Sequence, residues 1–249
     1  MERGTAYGVG VGPGDPELMT LKAARVIRAC RVVAVPVADV HGRAEDSLAY
    51  LIAAAAVPEL ADKRVVALPS PMVRDRSAIE AAHLANARMI EAHLDEGIDV
   101  ACLVLGDPSI YCTFGYVREV LASDGYEVSM VSGVPSFCAA AARLGMSLVE
   151  GDEPLCVVPV RRGRSLKLCA ESGTYVLMKA GPCLREAKER LAEAGLEASA
   201  VERCGMEGER VWRGADSIPD EADYLTLVIA HWRTVARGRA CEEQPPDLL

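Results

Sequence analysis

Aromatic residues are scarce in this sequence of 249 residues, where they make up only 4% and include two Trp and two Phe. The core is therefore expected to be aliphatic, built from Val, Leu, Ile and Ala. Hydrophobic residues amount to 51% and charged residues to 25%, which is typical of globular proteins and argues against disorder. A chain of this length can bury a full core without disulfide or metal staples, and it exceeds the common size of a single domain.

Cysteine motifs are also missing, because the nine cysteines form no CxxC and their odd number fits a disulfide framework badly. Several lie in apolar runs such as VACLVLG, where a thiol behaves as a small hydrophobic group. The four histidines have no metal-ligand spacing with them, so no metal site is predicted. No signal-peptide core is present, and no apolar run is long enough to span a membrane. We therefore expect reduced cysteines and a cytoplasmic protein that makes no use of a membrane.

The chain has no excess of basic residues: its formal net charge is −9, which argues against nucleic acid as the main partner. An anionic small-molecule ligand would need a local basic patch to overcome this field. Arg161, Arg162, Arg164 and Lys167 form a basic cluster in the sequence. The cluster is either a solvated loop or a binding surface for carboxylate groups.

Short apolar runs alternate with helical patterns in the first half of the chain. The runs are continuous rather than alternating, as expected for parallel strands that are buried on both faces. Strands followed by helices at this spacing indicate βαβ units. We predict strands at 5–12, 31–36, 64–69, 100–107 and 127–133, and helices at 16–30, 45–56, 76–96 and 113–123.

The second half contains more strands than helices, and the short turn at 206–209 indicates an antiparallel hairpin. Strands are predicted at 155–160, 174–180, 199–205, 209–214 and 224–232, and helices at 183–195 and near 137–145. The fold class is therefore α/β, with a parallel domain followed by a more mixed, partly antiparallel one. Residues 1–131 form the first, with a mainly parallel sheet, and residues 132–249 form the second, with a mixed sheet.

Three elbows rich in Gly and Pro follow predicted strands: GPGDP at 12–16, LGDP at 105–108 and SGVPS at 132–136. In the first, Asp15 suits a helix N-cap and Pro16 the first helical position. The elbow is either a well-capped turn or a place where a ligand approaches the backbone. Pro13 stands where a dinucleotide fingerprint has its third glycine, and Asp15 would repel a pyrophosphate, so an NAD-type site is not expected. An acidic elbow at a strand end instead suits a cation or a hydrogen-bonding nucleoside.

Taken together, GVGVGPGDPELMTLKAARVI, LGDPSIY, SGVPSFCAAAARLG and VLMKA resemble the tetrapyrrole methylase family over nearly the whole chain. The opening and the run SFCAAAARLGMSLVEGDEPLCVVP are most similar to the branch that methylates C20 of precorrin-2 or of cobalt-factor II in corrinoid biosynthesis. The branch that methylates uroporphyrinogen carries an aspartate where this chain has Pro36, which favours another branch. The third elbow also departs from the family, which usually has proline at the position of Ser132 and threonine at that of Pro135.

The resemblance implies S-adenosylmethionine as the methyl donor, bound in a cleft between two αβα domains. By motif match, the residues that would bind it are Pro13, Leu105, Gly106, Asp107, Ile110, Pro135, Ser136, Met178, Gly205, Met206, Thr226 and Leu227. Asp107 is alternatively a helix cap, and Met178 a core residue.

The resemblance further implies a homodimer that acts on a tetrapyrrole by direct displacement, with Asp15 as the carboxylate to test for removal of the C20 proton. Enzymes that methylate another precorrin position and diphthine synthases share the same fold, so these activities are alternatives. A ribosomal-RNA methylase does too, but the acidic charge balance speaks against it. A non-catalytic tetrapyrrole- or nucleotide-binding protein remains the alternative from another class.

Overall fold

The computed structural model describes residues 2–38, 41–71, 73, 75–161, 163, 166, 168 and 172–232. The chain divides into two compact units. The first comprises Met1–Met146 together with Arg203–Arg210, and the second comprises Ser147–Glu202 and the chain from Val211 onward. The division into domains 1–131 and 132–249, expected from the sequence, stays a prediction.

The first unit contains a sheet of five parallel strands in the order β3-β2-β4-β1-β5. The strands are β1 (Ala6–Gly10), β2 (Val32–Val37), β3 (Arg64–Pro69), β4 (Val100–Val104) and β5 (Val128–Val131). Five helices accompany them, namely α1 (Leu21–Ala29), α2 (Leu48–Ala56), α3 (Arg76–Leu94), α4 (Phe114–Ser123) and α5 (Ser136–Leu144).

Both faces of this sheet are covered by helices. Val33 and Val35 of β2 pack in one buried cluster with residues of α1 and α2. Val32 and Ala34, which alternate with them, pack in a second cluster with residues of α3 and α4. Since successive residues of a strand point to opposite faces, the continuous apolar runs reflect a sheet that is buried on both sides.

The second unit contains a mixed sheet in the order β6-β7-β10-β8-β9. Strand β6 is parallel to β7, whereas β10 is antiparallel to β7 and β8. Helix α6 (Leu184–Glu193) contributes Leu184 and Leu191 to a buried cluster with residues of β7, β8 and β10. The strands are β6 (Leu155–Pro159), β7 (Thr174–Met178), β8 (Leu196–Glu202), β9 (Arg210–Arg213) and β10 (Thr226–Trp232). The predicted α/β class, with a parallel sheet followed by a mixed one, is confirmed.

Two predicted helices are interrupted. The helix predicted at 45–56 begins as a 3-10 helix, Ala44–Asp46, and α2 follows from Leu48. The continuous helix predicted at 16–30 is a 3-10 helix, Pro16–Leu18, followed by α1 from Leu21. Thr20 breaks it because its backbone is extended (φ −70°, ψ 147°) and its hydroxyl accepts a hydrogen bond from the Ala23 N–H at 3.1 Å. Threonine is a strong N-cap residue, and here it begins a second helix rather than continuing the first.

The strand predicted at 100–107 ends earlier than expected, at Val104. Gly106 has a φ of +74°, in the left-handed region that a strand does not use. The residues that were expected to extend this strand instead form an elbow at its end.

Among the described residues, each helix is too short or too polar to cross a bilayer.

Candidate functional site

The three elbows lie side by side at one edge of the first sheet. Residues 12–16 follow β1, residues 105–108 follow β4 and residues 132–136 follow β5, and β1 lies between β4 and β5 in the sheet. In the sheet, the connection from β1 to β2 runs toward the β3 side, whereas the connection from β4 to β5 runs toward the opposite side. This edge is therefore a topological switch point, where open α/β sheets bind their ligands.

The elbows approach so closely that only glycine fits between them. The Gly106 N–H donates to the Gly12 carbonyl at 2.7 Å, and the Gly12 N–H donates to the Gly106 carbonyl at 3.3 Å. A Cβ atom on Gly133 would lie 2.2 Å from the Gly106 oxygen, and one on Gly10 would lie 2.6 Å from it. A Cβ on Gly106 itself would meet only the Val134 oxygen, at 4.0 Å. The backbone of the second elbow thus faces open space on that side.

Asp107 connects the second elbow to the third. Its Oδ1 accepts hydrogen bonds from the Ser109 hydroxyl and from the Ser109 N–H, the latter at 2.8 Å, and its Oδ2 accepts one from the Gly133 N–H at 3.0 Å. The side chain is buried, which by itself raises the pKa, but the bonds from Ser109 and Gly133 outweigh burial and leave the pKa of Asp107 below its usual value. Its carboxylate therefore already serves three donors of the protein.

Asp15 caps the short helix after the first elbow, as the sequence predicts. Its Oδ1 accepts a hydrogen bond from the Glu17 N–H at 2.8 Å, and Pro16 occupies the first helical turn. The side chain is half-buried. An aspartate in this position places negative charge at the edge where the elbows meet, which favours a cationic ligand over a phosphate.

The first elbow packs against a loop formed by residues 203–209, which also belongs to the first unit. A Cβ on Gly14 would lie 2.3 Å from the Cys204 oxygen and 2.7 Å from Cγ of Met206. A Cβ on Gly205, whose φ is +71°, would lie 2.7 Å from the Asp15 nitrogen. Glycine is thus required on both sides of this contact, by close approach and, at Gly205, also by backbone conformation.

An ion pair holds the 203–209 loop. The Glu209 carboxylate pairs with Nε of Arg143 on α5, and its Oε2 accepts a hydrogen bond from the Gly205 N–H at 2.8 Å. The side chain of Glu209 is only 18% exposed. Arg203 has a φ of +51°, and its Nε donates to the Glu207 carbonyl at 2.9 Å. Side chains, and not only backbone contacts, therefore fix the shape of the loop.

The remaining predicted donor-site residues of the first unit belong to the second and third elbows or adjoin the first. Pro13 is buried, whereas Leu105 and Ile110 are half-buried. Pro135 stands at the N-cap position of α5, and Ser136 is the first residue of that helix. The structure thus gathers the predicted residues of the three elbows, with Gly205 and Met206, in one unit.

Three predicted residues belong to the second unit. Met178 ends β7, is half-buried, and accepts a hydrogen bond on its carbonyl from the Val160 N–H at 2.9 Å. Thr226 and Leu227 begin β10, and both are buried. The Thr226 hydroxyl donates to the Asp223 carbonyl at 2.6 Å, so this side chain stabilises the turn before β10. The roles predicted for these residues in donor binding stay predictions.

Other candidate groups are less informative. Within the described part of the chain, no group of three His, Cys, Asp or Glu side chains is arranged to hold a metal ion. Of the basic cluster, Arg161 is exposed, whereas Arg162, Arg164 and Lys167 lie outside the described residues. Burial, reinforced by the charge of Glu209, raises the pKa of Cys204 to about 11, so this thiol is protonated at neutral pH and is a poor nucleophile.

Sequence reasoning missed the residues that support the site. Ser109 lies two residues after Asp107, and the Asp-x-Ser spacing is typical of an Asx turn, so this partner was detectable. Arg143 and Glu209 are separated by 66 positions, and no local pattern connects them. Such a pair becomes visible only once the fold brings α5 and the 203–209 loop together.

Comparison with known proteins supplies a family. A family model for tetrapyrrole (corrin/porphyrin) methylases matches residues 5–216. The probable cobalt-precorrin-2 C(20)-methyltransferase of Methanocaldococcus jannaschii is 37% identical over 232 residues, which cover 90% of this chain and 94% of that protein. The precorrin-2 C(20)-methyltransferase of a Sinorhizobium species is 31% identical over 250 residues, covering 91% of this chain and 94% of that protein.

A solved structure shows the same fold. It is that of a uroporphyrin-III C-methyl transferase from Thermus thermophilus complexed with S-adenyl homocysteine. The match has a TM-score of 0.64 and 23% sequence identity, and it covers 92% of each chain. The fold described above is therefore one that a solved methyltransferase structure also has.

Proposed function

The chain belongs to the tetrapyrrole (corrin/porphyrin) methylases, and we propose that it transfers a methyl group from S-adenosylmethionine to C20 of precorrin-2 or of its cobalt-bearing counterpart. The observation that carries this proposal is the similarity, over nine-tenths of the chain, to a relative named for methylation at C20 of the cobalt-bearing ring. The second relative, named for the ring without cobalt, supports the same position of methylation. The proposed place of the reaction is therefore corrinoid biosynthesis.

The chemistry of the elbows fits the methyl donor. Its nucleoside offers hydrogen-bonding groups without phosphate, and its sulfur carries a positive charge. The first elbow presents the carboxylate of Asp15, and the second presents backbone that faces open space at Gly106. The Thermus structure is complexed with S-adenyl homocysteine, which is what such a donor becomes when it has lost its methyl group. We infer that the elbows, with Gly205 and Met206, contribute to the donor site.

The reaction is a direct displacement. A carbon–carbon bond forms between C20 and the methyl group, the sulfur–methyl bond breaks, the sulfur keeps that electron pair, and C20 then loses its proton. The donor supplies a leaving group that is already good, so the protein needs no covalent intermediate. The main task of the elbows is to hold the reacting atoms in line before the chemistry begins. Asp15 is the carboxylate that we propose for accepting the C20 proton.

Parallel incubations test this proposal. The purified protein is incubated with S-adenosylmethionine and either precorrin-2 or the cobalt-bearing ring, and the products are analysed by mass spectrometry. The proposal predicts that one methyl group is added to at least one of the two rings. Binding of S-adenosylhomocysteine without methylation of either ring would indicate another acceptor, such as a later precorrin or the protein substrate of a diphthine synthase. Ring binding without any turnover would favour a non-catalytic binding protein.

We further propose that the chain acts as a homodimer in the cytoplasm. The dimer follows from the family resemblance, and light scattering on the purified protein tests it: a mass of twice the monomer supports it, and a monomer contradicts it. The cytoplasmic location is supported by cysteines such as Cys30, Cys102 and Cys138, which form no disulfide, as is usual in a reducing compartment. Fractionation of the source cells, followed by detection of the chain, tests the location.

A further inference from the structure

The 203–209 loop contacts the predicted donor site through the backbone of Cys204 and Gly205 and through the side chain of Met206. Gly205 lies against the nitrogen of Asp15, and Cys204 and Met206 lie against Gly14, so that no Cβ fits on either glycine. A displacement of the loop is transmitted to the first elbow because Cys204 and Gly205 meet it through backbone atoms, whereas only the Met206 contact is made by a flexible side chain. The position of Gly205 therefore affects the geometry of the elbow that carries Asp15.

Glu209 determines where Gly205 lies. Its Oε2 accepts the Gly205 N–H at 2.8 Å, while its other oxygen pairs with Arg143. The carboxylate is mostly buried, and a charge in such a place is costly unless its hydrogen bonds are satisfied. Arg143 thus orients the carboxylate, and the carboxylate in turn orients the backbone of the loop.

Arg143 also connects the loop to the third elbow. It lies on α5, the helix that begins at Ser136 directly after that elbow. Through Glu209 the loop is therefore tied to the helix of the third elbow, and through Gly205 it is packed on the first. The ion pair therefore links the first elbow, through Gly205, to the helix that follows the third elbow, without itself belonging to any elbow.

We propose that Arg143 and Glu209 are positioning residues for methyl transfer: their ion pair holds the Gly205 N–H, and hence the 203–209 loop, in the conformation that binds the adenosine of the donor. This inference rests on the proposed function for the identity of the ligand. It assigns no chemical step to either residue. It predicts that loss of the pair weakens donor binding more than it slows turnover at saturating donor.

Calorimetry with S-adenosylhomocysteine tests the inference without any ring substrate. For Glu209→Ala, the Kd rises about tenfold, since a hydrogen bond to a charged group is lost. For Glu209→Gln the increase is smaller, because the amide oxygen still accepts from Gly205. The matched control is Glu207→Ala, an exposed glutamate of the same loop, which leaves the Kd unchanged.

A double variant tests whether Arg143 and Glu209 act as one pair, and kinetics with thermal melting separate a positioning role from general stability. Arg143→Met weakens binding as Glu209→Ala does, and the double variant is no weaker than Glu209→Ala alone, since both remove one coupled interaction. Steady-state kinetics of Glu209→Ala are expected to show a raised KM for the donor and a nearly unchanged kcat. A lower melting temperature with wild-type Kd and KM would make the pair purely structural and would overturn the inference.

Hydrogen exchange at the Gly205 amide gives a readout that does not depend on the donor. Glu209→Ala accelerates this exchange in the ligand-free protein, while Glu207→Ala does not. Unchanged exchange in Glu209→Ala would overturn the inference even if the proposed function is correct. A wild-type protein that binds no S-adenosylhomocysteine would instead refute the proposed function, and the two failures are thereby distinguished.

Discussion

Replacing Asp107 with Asn removes the charge from a carboxylate that accepts hydrogen bonds from Ser109, just after its own elbow, and from Gly133 of the third elbow. In the wild type, Oδ1 accepts from Ser109 and Oδ2 accepts from the Gly133 N–H at 3.0 Å. An amide has only one oxygen, so it can serve one of these sides. Its NH2 group then faces a donor on the other side, and that donor is left without a partner.

The cost of this change follows from the burial of the group. Asp107 is only 8% exposed, so water replaces the lost acceptor poorly. A hydrogen bond to a charged group contributes about 1.5–3 kcal/mol, and we expect Asp107→Asn to lower the free energy of unfolding by about 2 kcal/mol. Because the third elbow is no longer held, the Kd for S-adenosylhomocysteine is expected to rise about tenfold.

Urea denaturation followed by circular dichroism measures the first effect, and calorimetry measures the second. The matched control is Asp62→Asn, which neutralises an exposed aspartate of the same unit and is expected to change neither quantity. If Asp107→Asn matches this control in both experiments, Asp107 does not hold the elbows together and the reasoning is refuted.

The lowered pKa of Asp107 means that its contribution to stability is present above about pH 4, its unfolded pKa, and is lost as the pH falls through the lower folded value. Acid titration by circular dichroism should therefore show wild type losing more stability than Asp107→Asn, and equal losses would contradict this. Asp15→Asn is expected to lower kcat at least about 100-fold if Asp15 accepts the C20 proton, and unchanged turnover would remove that role. Gly133→Ala places a Cβ 2.2 Å from the Gly106 oxygen and should destabilise the protein by about 1–3 kcal/mol in urea denaturation. Gly115→Ala in α4 meets no atom within 4 Å and should stabilise it by about 0.5 kcal/mol, and the opposite ranking of the two would refute the packing argument.

Much of the fold was predictable because the local signals are strong. The continuous Val-rich runs around Val33 and Val35 reflect strands buried on both faces, and the structure places those strands in a parallel sheet. The interruption at Thr20 was missed, because the apolar periodicity continues across a residue whose side chain starts a new helix. Periodicity indicates which face is buried, but not where one helix ends and the next begins.

The site was predictable only in part, for a physical reason. The elbows are marked by Gly, Asp and Pro, residues that the backbone itself requires at such turns. The capping role of Asp15 is local and could be inferred from its neighbours. The bond from Gly133 to Asp107 and the pair between Arg143 and Glu209 connect distant segments, and nothing in the local sequence specifies them. Sequence patterns thus located the loops, while the contacts that hold the loops together required the fold.

The position of the transferred methyl group tests the central claim most directly. The protein is incubated with S-adenosylmethionine labelled with 13C in its methyl group and with precorrin-2 or the cobalt-bearing ring, and the product is examined by 13C NMR. The account predicts one enriched methyl signal, which long-range proton–carbon correlations assign to the methyl group on C20 of the ring. Enrichment at any other carbon, or the absence of transfer to both rings, would contradict it.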